Sequence, residues 1–175
     1  MSEMTGDDRC LPPALADLGR VEIAYDDGDG IDFDPYSAFE SPEETTHWLR
    51  QWTGNPEVDG DAYRIFGQDG SGGLAALWRG RPGRPLTEQP VVFMGSEGQC
   101  GMVAGNLPDF LWVLADGVGP LESVLYEEHT SRPDASLTQL AERHATTPRR
   151  PARDIITEAR AEFPAFAGDI EKLCR

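Results

Sequence analysis

The pattern of apolar and polar positions is most regular between residues 63 and 117, where short apolar runs alternate with glycine-rich breaks. Branched and aromatic residues favour strands, and glycines clustered beside aspartate favour tight turns because glycine adopts positive φ without a steric penalty. Prolines and glycines within 79–89 exclude a strand interior there. The pattern predicts three or four antiparallel strands, in the runs 63–67, 74–78, 91–94 and 102–104.

A strongly amphipathic helix closes this stretch. Its apolar residues follow the i, i+3, i+4, i+7 spacing that places them on one stripe: Leu107, Phe110, Leu111 and Leu114. Asn106 is the predicted N-cap, and Gly117 follows the last periodic residue. We therefore expect this helix to pack on the sheet.

The N-terminal third contains weaker patterns. A short helical turn is predicted at 11–18, and alternating apolar residues at 21–25 and 31–36 predict a hairpin. A helix is predicted at 41–53, because Ser41 and Glu44 form a capping box and Gly54 ends the periodic pattern. Trp48 and Trp52 share the apolar stripe of this helix, which favours core residues over a ligand platform.

The C-terminal third is predicted to be mainly helical. Residues 121–126 give only a weak signal, for one more strand or for continued packing after Gly117. From Asp134 onward, apolar residues recur at helical spacing and are interrupted at Pro148 and Pro164, which predicts a helical extension over 134–175. At 175 residues the chain fits a single domain over 11–175, preceded by a flexible segment at 1–10.

The net charge of −16 is concentrated in residues 1–70, which hold 17 acidic and 4 basic side chains. Such a field repels nucleic acid and anionic membranes, and it steers a basic protein toward the surface. The alternative is that the acidic surface serves solubility alone.

Cysteine usage and the termini indicate the cellular location. The three cysteines, at positions 10, 100 and 174, form no CxxC pair. An odd, scattered count favours a reducing compartment. The first ten residues lack the basic and apolar regions of a signal peptide, and no run approaches the ~18 apolar residues of a membrane span. We expect a cytoplasmic protein.

The histidines His47, His129 and His144 are the natural candidates for a general base or a metal ligand. His129 ends a segment that resembles an inverted zinc motif, but Leu125 stands where that motif needs a histidine. His144 shares an apolar helical stripe, which predicts a partly buried and satisfied side chain. None of the three lies in a catalytic pattern.

Other motifs also fail on their chemistry. Ser96 lies in MGSEG, which lacks the first glycine of a nucleophile elbow. The aspartate-rich segment 26–34 lacks the glycine that a calcium loop needs at position six, counted from Asp27 or from Asp29. The glycines at 67–73 precede neither a lysine nor a helix, so they form no phosphate cradle. We therefore predict no catalytic residue, no cofactor and no metal.

Two small arginine groups, at 79, 81 and 84 and at 149, 150 and 153, complete the charge pattern. With a single lysine and a net charge of −16, they do not make a nucleic-acid-binding protein. We expect them to pair within the chain, with the acidic N-terminal half.

Three segments carry a family resemblance: FGQDGSGGLAALW, PVVFMGSEG and MVAGNLPDFLWVLADG. Their order, from a glycine-containing strand turn through a glycine-ended strand to a closing helix with a Phe-Leu pair, resembles the SUKH superfamily of Smi/Knr-like proteins. The resemblance covers residues 63–117, and the N-terminal third departs from the commoner pattern. It implies an α+β fold, with a twisted, mainly antiparallel sheet and helices to one side.

The resemblance also implies a function. Many bacterial members of the superfamily are immunity proteins that bind and neutralise a co-encoded toxin, often a nuclease, and others are adaptors or regulators. We therefore expect a non-enzymatic protein-binding module, with toxin immunity as its role and a basic toxin domain as its partner. The alternatives are a regulatory adaptor for an endogenous protein and a hydrolase that uses Ser96 or His129.

The acidic hairpin is the predicted binding surface because five neighbouring carboxylates repel one another, a cost that a cationic partner relieves. Its residues are Asp26, Asp27, Asp29, Asp32 and Asp34, with Asp69 and Glu97 in the sheet turns as further candidates. The alternative is an apolar sheet face left uncovered by the helices, with Trp78 as an anchor.

Overall fold

The computed structural model of the chain describes residues 9–23, 31–125 and 132–175. Its helices are α1 (Pro13–Leu18), α2 (Pro42–Thr53), α3 (Leu107–Ala115), α4 (Pro120–Leu125), α5 (Ala135–His144), α6 (Ala152–Glu162) and α7 (Phe166–Leu173). Its strands are β1 (Asp34–Pro35), β2 (Tyr63–Gln68), β3 (Leu74–Trp78), β4 (Val91–Met94) and β5 (Cys100–Ala104). The predicted α+β class, with a sheet flanked by helices and a helical C-terminal extension, is confirmed.

The sheet is an antiparallel meander in the order β1-β2-β3-β4-β5. The β2–β3 turn is closed by a hydrogen bond from the Asp69 N–H to the Gly73 carbonyl (3.0 Å), and Gly72 within it has φ +96°. The β4–β5 turn contains Gly98 at φ +91°. Both values favour glycine, so the glycine clusters close the turns as predicted.

Both faces of the sheet are buried. Along β2, Ile65 and Phe66 point to opposite faces and expose 0% and 1% of their surface. The strands are consequently almost continuously apolar, as strands covered on both faces are. The expectation of helices on one side, implied by the resemblance, is therefore wrong.

Two apolar cores result. The first lies between one sheet face and helices α1, α3 and α5, with Phe110 of α3 fully buried in it. The second lies between the opposite face and helices α2 and α7, where Leu49 and Ile170 are buried. Helix α6 contributes Ile156 to the first core and Ala159 to the second, and it packs along the edge strand β5.

The weak signal at 121–126 is resolved as helix α4, so the strand predicted there is wrong. Pro120 occupies the first helical position, where a missing N–H costs nothing. Glu122 Oε1 accepts a hydrogen bond from the Gly119 N–H (3.0 Å), and the Ser123 hydroxyl donates to the Gly119 carbonyl. These local bonds fix the start of the helix.

The predicted N-terminal hairpin is not formed by the described residues. Val21 to Ile23 lie outside any strand, and residues 24–30 are outside the described part of the chain. The second predicted strand is reduced to β1, which pairs with Gly67 and Gln68 of β2. A long-range pairing therefore replaces the local one. The short helix predicted within 11–18 is confirmed as α1.

Candidate partner-binding surface

Asp69 shapes the β2–β3 turn from inside. Its Oδ1 accepts hydrogen bonds from the Ser71 N–H (2.9 Å), the Ser71 hydroxyl (2.7 Å) and the Gly73 N–H (2.9 Å). Only 3% of Asp69 is exposed. The structure therefore places this predicted partner-binding residue beneath the surface, where its carboxylate orders the turn.

We expect Asp69→Ala to lower the free energy of unfolding by about 2 kcal/mol, because it removes three hydrogen bonds to a charged acceptor. Urea unfolding followed by circular dichroism measures the change. Ser71→Ala is the control, since it removes one of the three donors to Asp69 and an exposed contact with the Ser96 hydroxyl, and it should cost less than about 1 kcal/mol. Equal losses in the two variants would contradict a structural role for the Asp69 carboxylate.

The two sheet turns and the segment before β1 meet at one end of the sheet. The Gly70 N–H donates to Asp32 Oδ1 (2.8 Å), and the hydroxyls of Ser71 and Ser96 lie 3.1 Å apart. These contacts join three segments that are distant in sequence. The end of the sheet is therefore one continuous surface.

Three predicted partner-binding residues lie on this surface. Asp34 and Glu97 are exposed, and Asp32 is half-buried. Residues 31–36, 67–74 and 94–100, which build this end, contain no lysine or arginine. We call Asp32, Asp34 and Glu97 the acidic turn surface. No lysine or arginine of the three segments neutralises its negative charge.

The remaining predicted residues, Asp26, Asp27 and Asp29, lie outside the described residues. The described chain resumes at Ile31, which is 3% exposed and packs in the first core beside Phe33. Asp32 and Asp34 therefore directly follow a buried residue. Of the five aspartates of the predicted acidic hairpin, only these two lie among the described residues, so the argument for a binding surface rests on them.

Glu122 is a charged group that the sequence analysis missed. Burial raises the pKa of Glu122 to about 7, and the negative charges of Asp32 and Asp69 act in the same direction. The hydrogen bond from the Gly119 N–H opposes this shift. Asp32 and Asp69 are distant from Glu122 in the sequence, so their effect on its pKa cannot be read there. The sequence shows only the spacing of Gly119 and Glu122, which is typical of a helix start.

This pKa predicts a pH-dependent stability. An unfolded glutamate ionises near pH 4.5 and the folded one near pH 7, so the folded state holds more protons between these values and stability falls as pH rises. After a discount for the partial exposure of Glu122, we expect the free energy of unfolding to be about 2 kcal/mol lower at pH 8 than at pH 5. Glu122→Gln should remove this loss, measured as urea unfolding at pH 5 and pH 8.

Glu142→Gln is the control for this prediction, because Glu142 is exposed on α5. The free energy of unfolding of this variant should depend on pH as that of the unaltered chain does. Parallel profiles for the unaltered chain and Glu122→Gln would mean that Glu122 ionises normally.

Trp78 does not lie on an uncovered sheet face. Its ring centroid is 5.3 Å from that of Phe163 and 4.8 Å from that of Phe166, so the segment from α6 to α7 covers it. The prediction of Trp78 as an anchor on an open apolar face is therefore corrected. Both faces of the strands are apolar, and α2 covers the second one together with α6 and α7.

Arginines of both groups pair within the chain, with acids outside the predicted N-terminal half. Ion pairs join Arg81 to Glu162 and Arg84 to Glu88, and Arg150 lies 2.8 Å from Asp109. These acids all lie after residue 70. These three pairs therefore neutralise no acid of residues 1–70, although Arg143 and Arg175 pair with Asp17 and Glu57.

An open groove of about 660 Å³ lies at the opposite end of the sheet, between α1, the β3–β4 connection and the start of α3. Its lining includes Arg81, Arg84 and His144, each bound to a carboxylate. The groove thus has room for a ligand, but its two arginines already pair with carboxylates of the chain. The acidic turn surface is the stronger candidate.

Two of the candidate catalytic groups, His144 and Ser96, are hydrogen-bonded to other side chains. His144 Nε2 and Asp17 Oδ2 are hydrogen-bonded at 2.6 Å, which lowers the pKa of Asp17, and His47 is exposed. The Ser96 hydroxyl contacts the Ser71 hydroxyl, and His129 lies outside the described residues. Within the described ranges, no three His, Cys, Asp or Glu side chains are grouped so as to hold a metal ion.

The chain matches no protein-family model, no curated protein and no solved structure. The resemblance to the SUKH superfamily therefore remains a prediction. None of the helices in the described part of the chain combines the length and the apolar character needed to cross a membrane.

Proposed function

We propose that this chain is a non-enzymatic protein-binding module that captures a basic protein through the acidic turn surface. The supporting observation is the meeting of Asp32, Asp34 and Glu97 at a sheet end whose segments contain no lysine or arginine. Neighbouring carboxylates whose own segments supply no counter-charge favour a cationic partner, because its binding relieves their repulsion.

The role we propose is toxin immunity in the cytoplasm, with a basic toxin domain as the partner. The net charge of −16 disfavours nucleic acid and anionic membranes as partners. The closed, hydrogen-bonded turns support a binding role because the surface is ordered before the partner arrives, which lowers the entropic cost of association.

Affinity capture with the full chain as bait, followed by mass spectrometry, tests this proposal. We expect a basic protein domain to be recovered at low salt and released as the salt concentration rises. Immunity further requires that co-expression of this chain protects cells from the recovered protein. Recovery of an acidic or neutral partner with salt-insensitive binding would contradict capture by the acidic turn surface, and a non-toxic basic partner would favour the adaptor role.

A further inference from the structure

Trp48 and Trp52 form an aromatic strip on α2. Their rings stack with centroids 5.3 Å apart and an interplanar angle of 20°. The buried stripe of the helix consists of Thr45, Leu49 and Thr53, so the tryptophans lie beside it. Both pack against the second core, as their place on the apolar stripe predicts, and both are half-buried, so part of each ring is open to solvent. We call this pair the indole strip.

The indole strip adjoins the acidic turn surface. The Trp52 indole N–H donates to the Gly95 carbonyl in the β4–β5 turn (2.7 Å), two residues before Glu97. This bond fixes the ring against the turn that carries the exposed carboxylate. An aromatic face and a negative charge are therefore held next to each other by one short contact.

A second carboxylate lies at the other end of the strip. Glu44, Trp48 and Trp52 follow one another at four-residue intervals, so they share one side of α2, and Glu44 is exposed. Eight residues of helix span about 12 Å. An extended peptide advances about 3.3 Å per residue, so a segment of roughly four residues covers this distance.

From this arrangement we infer that the binding surface continues from the acidic turn surface along the indole strip to Glu44, and that it takes an arginine-bearing segment of the basic partner. This inference rests on the proposed function. A guanidinium group is planar and weakly hydrated, so it stacks on an indole face while it pairs with a neighbouring carboxylate. The compact, strongly hydrated lysine ammonium gains less from an indole.

Octa-arginine and octa-lysine peptides test the inference on the full chain at about 20 mM salt, where screening is weak. The Trp78→Phe/Trp112→Phe variant leaves Trp48 and Trp52 as its only indole emitters. We expect octa-arginine to bind about fivefold more tightly than octa-lysine in calorimetry and to quench this emission. Trp48→Leu should abolish the preference for arginine without weakening octa-lysine binding, and Trp48→Phe should restore part of it.

The outcomes separate the two proposals. Equal affinities with unchanged indole emission would overturn the inference and leave capture by the acidic turn surface intact. Failure of both peptides to bind would overturn the inference together with the proposed function. If Trp48→Leu fails to fold, Trp48→Phe and the emission measurement still test the inference. A fivefold preference for octa-arginine that is retained without quenching would place the guanidinium away from the indole strip and overturn the inference.

Discussion

Replacing Phe110 with alanine is expected to lower the free energy of unfolding by about 4 kcal/mol. Phe110 is fully buried between α3 and the sheet. Its ring meets Phe66 edge to face at 5.4 Å and Phe33 at 6.4 Å, so truncation removes two aromatic contacts and opens a cavity. Urea unfolding monitored by circular dichroism gives the difference.

Phe163→Ala is the matched control for this prediction. Phe163 is half-buried and packs on Trp78, so its removal should cost only about 1 to 2 kcal/mol. Phe110→Leu keeps most of the volume and should cost about 1.5 kcal/mol, which provides a folded variant if alanine is not tolerated. A loss below about 1.5 kcal/mol for Phe110→Ala would mean that the cluster can collapse around the deletion.

The central part of the fold was predictable because local and periodic signals agree there. Strands β2 to β5 are apolar runs separated by turn residues, and α3 has its stripe, its N-cap Asn106 and the positive-φ Gly117. The Asn106 side chain accepts a hydrogen bond from the Asp109 N–H (2.8 Å), as an N-cap should. Such features depend on residues within a few positions of one another.

The errors lie where distant residues decide the structure. β1 pairs with Gly67 and Gln68 in place of a hairpin neighbour, and Arg81 finds Glu162 in place of an acid of the N-terminal half. No local pattern distinguishes these partners from the alternatives. Helix α4 was missed for another reason, because six residues are too few for a periodic pattern to distinguish a helix from a strand.

The candidate site was partly visible in the sequence. Exposed turn acids such as Asp34 and Glu97 follow from composition and turn chemistry. The burial of Asp69 was foreseeable in part, because an aspartate before Gly-Ser-Gly often bonds its own turn. The raised pKa of Glu122 and the contact of Trp52 with Gly95 depend on the packing of α4 and α2 against the sheet end, which a single sequence does not specify.

Neutralising the acidic turn surface is expected to slow association with the captured partner on the order of 50-fold at low salt. The variant is Asp32→Asn/Asp34→Asn/Glu97→Gln, which removes three negative charges. Charges at the edge of an interface act mainly on the association rate, so the dissociation rate should change much less. Stopped-flow mixing at salt concentrations from about 20 to 500 mM measures the rate and its salt dependence.

The control variant removes three negative charges elsewhere: Glu88→Gln/Glu142→Gln/Asp154→Asn. All three residues are exposed. Glu88 lines the groove at the opposite end of the sheet, and Glu142 and Asp154 lie on α5 and α6, which carry no residue of the proposed binding surface. Both variants have the same net charge, so a difference between them reports position and not total charge. Capture by the acidic turn surface requires that the control slows association less than about threefold at low salt. Equal slowing in both variants would show that the partner responds to the overall field of the chain, and the binding site would then have to be sought on another surface.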